Sequence, residues 1–162
     1  HLIVWLLIKF EIHCIVLGIC NGFQILLEAK LLDGALIRNS KLKFACKEVE
    51  LKVSTNINSP FLDKVNREDI IKLPIAHNEG NFFADKKTLE RIEGEGLVAL
   101  RYFNADNNSD YNPNGSINDI AGILSENGKI LGMMPHPERY IKEELGGVDG
   151  YRFLKNSIEN LI

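Results

Sequence analysis

Apolar residues fall into short runs separated by polar turns, and the spacing within each run predicts strands alternating with helices. Residues 14–18 (Cys-Ile-Val-Leu-Gly) are rich in β-branched side chains, the pattern of a strand buried on both faces. They lead directly into 21–32, where the spacing is helical and stops at Asp33-Gly34. A buried strand entering a helix through a tight turn is half of a βαβ unit and predicts an α/β fold with a parallel sheet. Further strands are predicted over 42–53, 70–77 and 97–103, with Pro74 marking the second as an edge strand or the site of a bulge. Asp85 is a candidate N-cap for a helix over 86–92 that ends near Gly94. The polar stretch 104–118 is a loop. Two apolar runs, 120–124 and 129–134, flank Ser125-Glu-Asn-Gly128, and Asn-Gly in that setting predicts a hairpin. A last amphipathic helix covers 150–161, with Asp149 as its candidate cap.

The most apolar stretch, 1–18, is interrupted by Lys9, Glu11 and His13. Charges at mid-bilayer are costly, so a buried helix followed by a buried strand is expected there rather than a membrane span. No repeat, low-complexity tract or linker divides the chain, and 1–162 is expected to be a single domain.

Composition narrows the function classes. With 45% hydrophobic and 25% charged residues and a net charge of -3, there is no electrostatic case for nucleic acid or for an anionic membrane. The three cysteines match neither a disulfide framework nor a zinc site, and no signal peptide is visible, so the reducing cytoplasm is the expected compartment. Asn107 and Asn114 each begin an Asn-x-Ser sequon, read as chance matches. Cys14 and Cys46 are expected to be core residues.

Leu17-Gly-Ile-Cys-Asn-Gly-Phe-Gln24 sets a cysteine at the corner between the first strand and its helix. A side chain there projects from the carboxyl end of the sheet, where open α/β folds bind ligands. The helix N-terminus is expected to lower the pKa of Cys20, and the Asn21 backbone N–H can face a developing oxyanion. Gly18 and Gly22 are expected to relieve crowding at this elbow, as in Gly-x-Ser-x-Gly hydrolases. A nucleophile needs a base, and the base needs an orienter. His136 stands where the second hairpin strand ends, and Glu138 lies two residues on, on the same side of an extended chain. Cys20, His136 and Glu138 form a coherent candidate triad. No His/Cys/Asp cluster has metal-ligand spacing.

Gly18-Ile-Cys-Asn-Gly-Phe-Gln24 together with His136-Pro-Glu138 resembles the class I, triad-type glutamine amidotransferases. Further segments are similar to the glutaminase subunits of phosphoribosylformylglycinamidine synthases of the separate small-subunit type. They are Arg38-Asn-Ser-Lys-Leu-Lys-Phe44, Pro74-Ile-Ala-His-x-Glu-Gly80, Asn112-Pro-Asn-Gly-Ser116, Ile120-Ala-Gly122 and Gly132-Met-Met-Pro-His-Pro-Glu-Arg139. The resemblance implies a flavodoxin-like three-layer fold with a mixed, mostly parallel sheet. It implies hydrolysis of L-glutamine through a Cys20 thioester, with His136 as base then acid and Glu138 orienting it. No cofactor is implied in this chain. ATP and Mg²⁺ belong to a separate synthetase subunit, which with a small accessory subunit is the implied partner. Gly18, Gln24, Phe44 and His77 are the implied substrate contacts. For His77, Glu79 and the 112–116 loop, a place at the pocket rim or synthetase face and a purely structural turn both stand.

Two departures accompany the resemblance. Asn78 replaces a usual glycine. The family also begins several dozen residues earlier, with strands and a Pro-Gly-Gly loop supplying a second oxyanion donor, so a chain missing its N-terminal strands is expected. Loss of such a donor costs on the order of 100- to 1,000-fold in rate. A docking subunit without activity and a γ-glutamyl peptidase are the competing readings.

Overall fold

The computed structural model describes residues 15–104 and 111–159. The helix expected before the first strand, the environment of Cys14, residues 105–110 of the predicted 104–118 loop and the end of the last helix lie outside them.

β1 (Val16–Ile19) runs into α1 (Asn21–Glu28) with Cys20 alone between them. There follow β2 (Ala35–Arg38), β3 (Ala45–Val53), β4 (Ile71–His77), β5 (Glu79–Phe83), α2 (Lys86–Gly94), β6 (Val98–Phe103), β7 (Ile120–Leu124), β8 (Ile130–Met133) and α3 (Asp149–Glu159). Six strands make one mixed sheet in the order β1-β8-β7-β6-β3-β4, and β2 pairs separately with β5. The expected parallel majority does not hold for these six strands. Only β1 and β8 run parallel, while β3–β4, β3–β6, β6–β7 and β7–β8 are antiparallel. Short returns such as the Ser125-to-Gly128 turn leave no room for the crossover that a parallel pair needs.

The sheet separates two apolar clusters. Along β8, Leu131 and Met133 join Leu51, Leu73, Ile75 and Phe153 of α3 on one side, while Ile130 joins Phe23, Leu26, Phe82 and Ile92 under α1 and α2 on the other. This alternation is the period of two that a strand buried on both faces imposes. Three layers result, as expected.

Several boundaries move for local reasons. α1 stops at Glu28 rather than 32, because Lys30 takes a positive φ of 60° and turns the chain. Leu32 nonetheless stays buried in the core, which is why the apolar pattern ran past the helix. β4 is an edge strand of the six-stranded sheet, one of the two placements Pro74 allowed. The Asp85 carboxylate accepts the Thr88 N–H at 2.9 Å, a conventional N-cap. Asp149 instead belongs to α3 and accepts the Lys72 N–H at 2.9 Å, so its carboxylate ties the helix to β4 rather than capping it. Cys46 is exposed rather than buried, since β3 pairs with β6 only from Glu50 onward and its first half is covered on one edge alone.

Candidate active site

Cys20 occupies the turn from β1 to α1 with φ 51° and ψ -105°, a conformation that a side-chain-bearing residue adopts only at a cost of about 1–3 kcal/mol. Its N–H donates to Met133 O at 2.9 Å and its carbonyl accepts from Gln24 N at 3.2 Å, so the strained turn is held from both sides. Gly18 makes the turn sterically possible: a Cβ there would lie 2.5 Å from Leu26 Cδ1 and 2.8 Å from the Gly22 backbone. Gly22 itself has open space around it, so the crowding expected at both glycines is confined to Gly18. Gly18 serves strand-to-helix packing and does not line the cleft described next.

A cleft of about 490 Å³ opens at this turn and is lined by Cys20, Asn21, Gln24, Phe44, His77 and His136, with Ile19, Ala76, Asn78, Glu79 and Arg139 completing its wall. Of the eight residues named as triad, oxyanion donor or implied substrate contact, six thus face one space, drawn from four separate segments. Glu138 stands behind it, with Oε1 2.6 Å from His136 Nδ1. The 3₁₀ turn Pro137–Arg139 brings the carboxylate back onto the imidazole. The His136 N–H donates to Pro74 O at 2.9 Å, fastening the histidine to the edge strand that also carries His77. His136 Nε2 is buried and without a partner, the arrangement of a base whose second nitrogen is kept for a reacting group.

The electrostatics of Cys20 correct one expectation. Burial pushes the thiol pKa up, and the opposing pull of the Asn21 N–H and of the Arg139 guanidinium does not reverse it, with the Glu138 carboxylate adding to the rise. The helix N-terminus does act, through the Asn21 N–H close to the sulfur, but desolvation outweighs it. The resting thiol therefore needs a base rather than being ionised in advance.

Of the remaining predicted contacts, Gln24 lines the cleft from the first turn of α1 and donates from Nε2 to Glu28 at 2.9 Å. Phe44, immediately before β3, is 62% exposed and forms an apolar lip. His77 lines the cleft and is 4% exposed. The 112–116 loop is a buried clamp. Asn114 Nδ2 donates to Gly80 O at 2.7 Å and to the Tyr102 hydroxyl at 3.1 Å, and Ser116 Oγ accepts the Phe82 N–H at 3.0 Å. Asn114 is fully buried, which removes its sequon from consideration.

Two residues carried no assigned role in the sequence reading. Arg139 supplies a positive charge that acts on the thiol, and its place beside Glu138 was the available signal. Asn39, 1% exposed, organises the wall under His77, and nothing in its local sequence reveals this. Among the described residues no group of three or more His, Cys, Asp or Glu side chains is placed to hold a metal ion, and no helix is long and apolar enough to cross a membrane.

The family model of the CobB/CobQ-like glutamine amidotransferase domain matches residues 10–146, which include Cys20, His136 and Glu138. The chain belongs to this amidotransferase family. Among curated amidotransferase relatives, the phosphoribosylformylglycinamidine synthase subunit PurQ of Thermus thermophilus is 53% identical over 146 residues, covering 90% of this chain and 64% of the relative. The protein of the same name from Brucella abortus is 56% identical over 142 residues, covering 88% and 61%. The chain therefore spans a little under two thirds of the length of these relatives. The solved structure of PurLQS from Thermotoga maritima matches with a TM-score of 0.75 at 39% identity, covering 91% of this chain and 62% of that one. A putative GMP synthase component from Thermoplasma acidophilum shares the fold alone, at a TM-score of 0.53 and 15% identity, covering 90% of this chain and 56% of that one.

Proposed function

We propose that this chain hydrolyses L-glutamine to glutamate and ammonia on Cys20. The observation that carries the reading is a strained nucleophile turn sharing one cleft with an imidazole whose other nitrogen is held by Glu138. In the first half-reaction His136 Nε2 takes the thiol proton as Cys20 Sγ attacks the side-chain amide carbon. The carbonyl oxygen becomes an oxyanion near the Asn21 N–H. His136 then passes the proton to the departing nitrogen, the C–N bond breaks, and ammonia leaves a γ-glutamyl thioester. In the second half-reaction water attacks the thioester carbon and gives a proton to His136. The C–S bond breaks, and the thiol regains its proton as glutamate departs. Glu138 keeps the imidazole in the tautomer that both halves require.

The destination of the ammonia rests on the likeness to PurQ and PurLQS. It is a separate synthetase subunit that uses ATP and Mg²⁺ to convert formylglycinamide ribonucleotide to its amidine in purine synthesis, working together with a small accessory subunit. The same reading assigns no cofactor to this chain and places it in the cytoplasm, where the purine-synthesis role would be carried out.

The test is labelling with a glutamine-mimicking diazoketone followed by peptide mass spectrometry. A single adduct on Cys20, prevented by glutamine, is expected. Exposed Cys46 is a stringent internal control, because simple accessibility favours it. Equal labelling of Cys46, or an unlabelled Cys20 in folded protein, contradicts the proposal. Stronger protection by γ-glutamyl peptides than by glutamine replaces it with a peptidase.

A further inference from the structure

Within the described residues, two buried side-chain nitrogens lack a hydrogen-bond partner, Nε2 of His136 and Nε2 of His77, and both side chains line the cleft at Cys20. The first is accounted for by the proton it must take from the thiol. The second has no part in the triad, and leaving a buried polar atom unsatisfied costs on the order of 1–3 kcal/mol unless something visits it.

The surroundings of His77 decide what Nε2 can do. Asn39 Nδ2 donates to Lys43 O at 2.8 Å and to His77 O at 2.9 Å, which fixes the orientation of its amide. Asn39 Oδ1 then accepts the Gly80 N–H at 3.1 Å and lies 3.1 Å from His77 Nδ1. An acceptor already facing Nδ1 requires that nitrogen to carry the hydrogen, so in the neutral ring Nε2 holds a bare lone pair. The ring also stays neutral at physiological pH: burial, aided by the nearby His136, lowers the pKa of His77 to about 4. Position is fixed as firmly as tautomer. A Cβ on Gly80 would sit 2.4 Å from the imidazole, so only glycine leaves room for it, and Asn114 holds the Gly80 carbonyl in turn.

We propose that His77 is the specificity residue for the reacting end of the substrate, its Nε2 accepting an N–H of the carboxamide and facing a carboxylate with an unfavourable lone pair. This rests on the glutaminase reading above. Glutamine and glutamate differ only at that group, so the same atom helps to admit the substrate and to release the product. A site built to hydrogen-bond an N–H discriminates strongly against an analogue that lacks it, because its own buried group is left unpaired.

The experiment compares how well glutamine and glutamate protect Cys20 from the diazoketone in wild-type, His77→Asn and His77→Gln protein, with thermal melts confirming folding. Asparagine can keep the contact to Asn39 but leaves the Nε2 position empty, whereas glutamine places an amide oxygen there. In His77→Asn the concentration of glutamine needed for protection is expected to rise roughly 10- to 100-fold. That for glutamate should stay level or fall, and His77→Gln should recover much of the selectivity. Equal weakening for both ligands means that the acceptor serves their shared α-ammonium group or that His77 is structural. An unchanged ratio is equally contrary, and either result overturns the inference. If glutamine fails to protect even wild-type protein, the glutaminase reading itself has failed. Should His77→Asn not fold, the same ratio measured in His77→Gln and in His77→Phe decides.

Discussion

Replacing Cys20 by alanine or glycine will lower glutamine hydrolysis by on the order of 10⁵-fold, because among the described residues no other thiol lines the cleft to form the thioester. The two variants will separate in stability, in a direction that ordinary positions do not show. In unremarkable backbone glycine is less stable than alanine, by roughly 0.5–1 kcal/mol in a helix or strand. At φ 51° and ψ -105° the alanine Cβ retains the strain of the native turn, and glycine relaxes it. Cys20→Gly is therefore expected to be more stable than Cys20→Ala by about 1 kcal/mol, read as a shift in denaturant midpoint at constant slope. Were alanine the more stable of the two, the turn would not be storing strain, and the nucleophile would owe its exposure to something else.

Replacing His136 by alanine will cost on the order of 10⁴-fold in hydrolysis at neutral pH, and the loss will shrink as pH rises. The sign follows from the thiol. Burial raises its pKa, so below that pKa the thiolate is a minor species whose fraction grows tenfold with each pH unit. Wild-type protein has a base to remove the proton during attack, while His136→Ala must wait for the rare ionised form. Alkylation of Cys20 in the variant should therefore climb steadily with pH through and beyond the ordinary thiol range, whereas the wild-type rate levels off earlier. Coincident pH profiles would mean that His136 is not the base for Cys20.

These expectations also show how much of the site was readable in advance. The candidate triad could be read from sequence because its parts are local: Cys20 follows an apolar run, and His136 and Glu138 are two residues apart. The state of the thiol could not, because a helix N-terminus is visible in sequence while the burial opposing it comes with the apolar cluster under α1 and α2, against which Cys20 packs only once the chain has folded. Asn39 was invisible for the same kind of reason, since its three backbone partners come from Lys43, His77 and Gly80 and are assembled only by the fold. In the fold itself, long apolar runs and the Asn-Gly hairpin were legible. The short pair β2 and β5 was not: Ala35–Arg38 is mostly exposed, and Glu79–Phe83 begins with Glu and Gly, so neither shows a clean alternation. Cys46 was misplaced because burial of a strand residue depends on whether a neighbouring strand reaches that far.

The central claim is that Cys20 carries the γ-glutamyl group between the two half-reactions. It is tested most directly by acid-quenching the protein during glutamine turnover, with and without the synthetase it is proposed to serve, and mapping the acyl adduct by peptide mass spectrometry. A hydroxylamine-labile γ-glutamyl adduct on the peptide containing Cys20, accumulating no more slowly than glutamate appears and absent in Cys20→Ala, is the predicted result. Glutamine turnover that persists in Cys20→Ala, or an adduct on another residue that forms and decays at the turnover rate, would contradict the account.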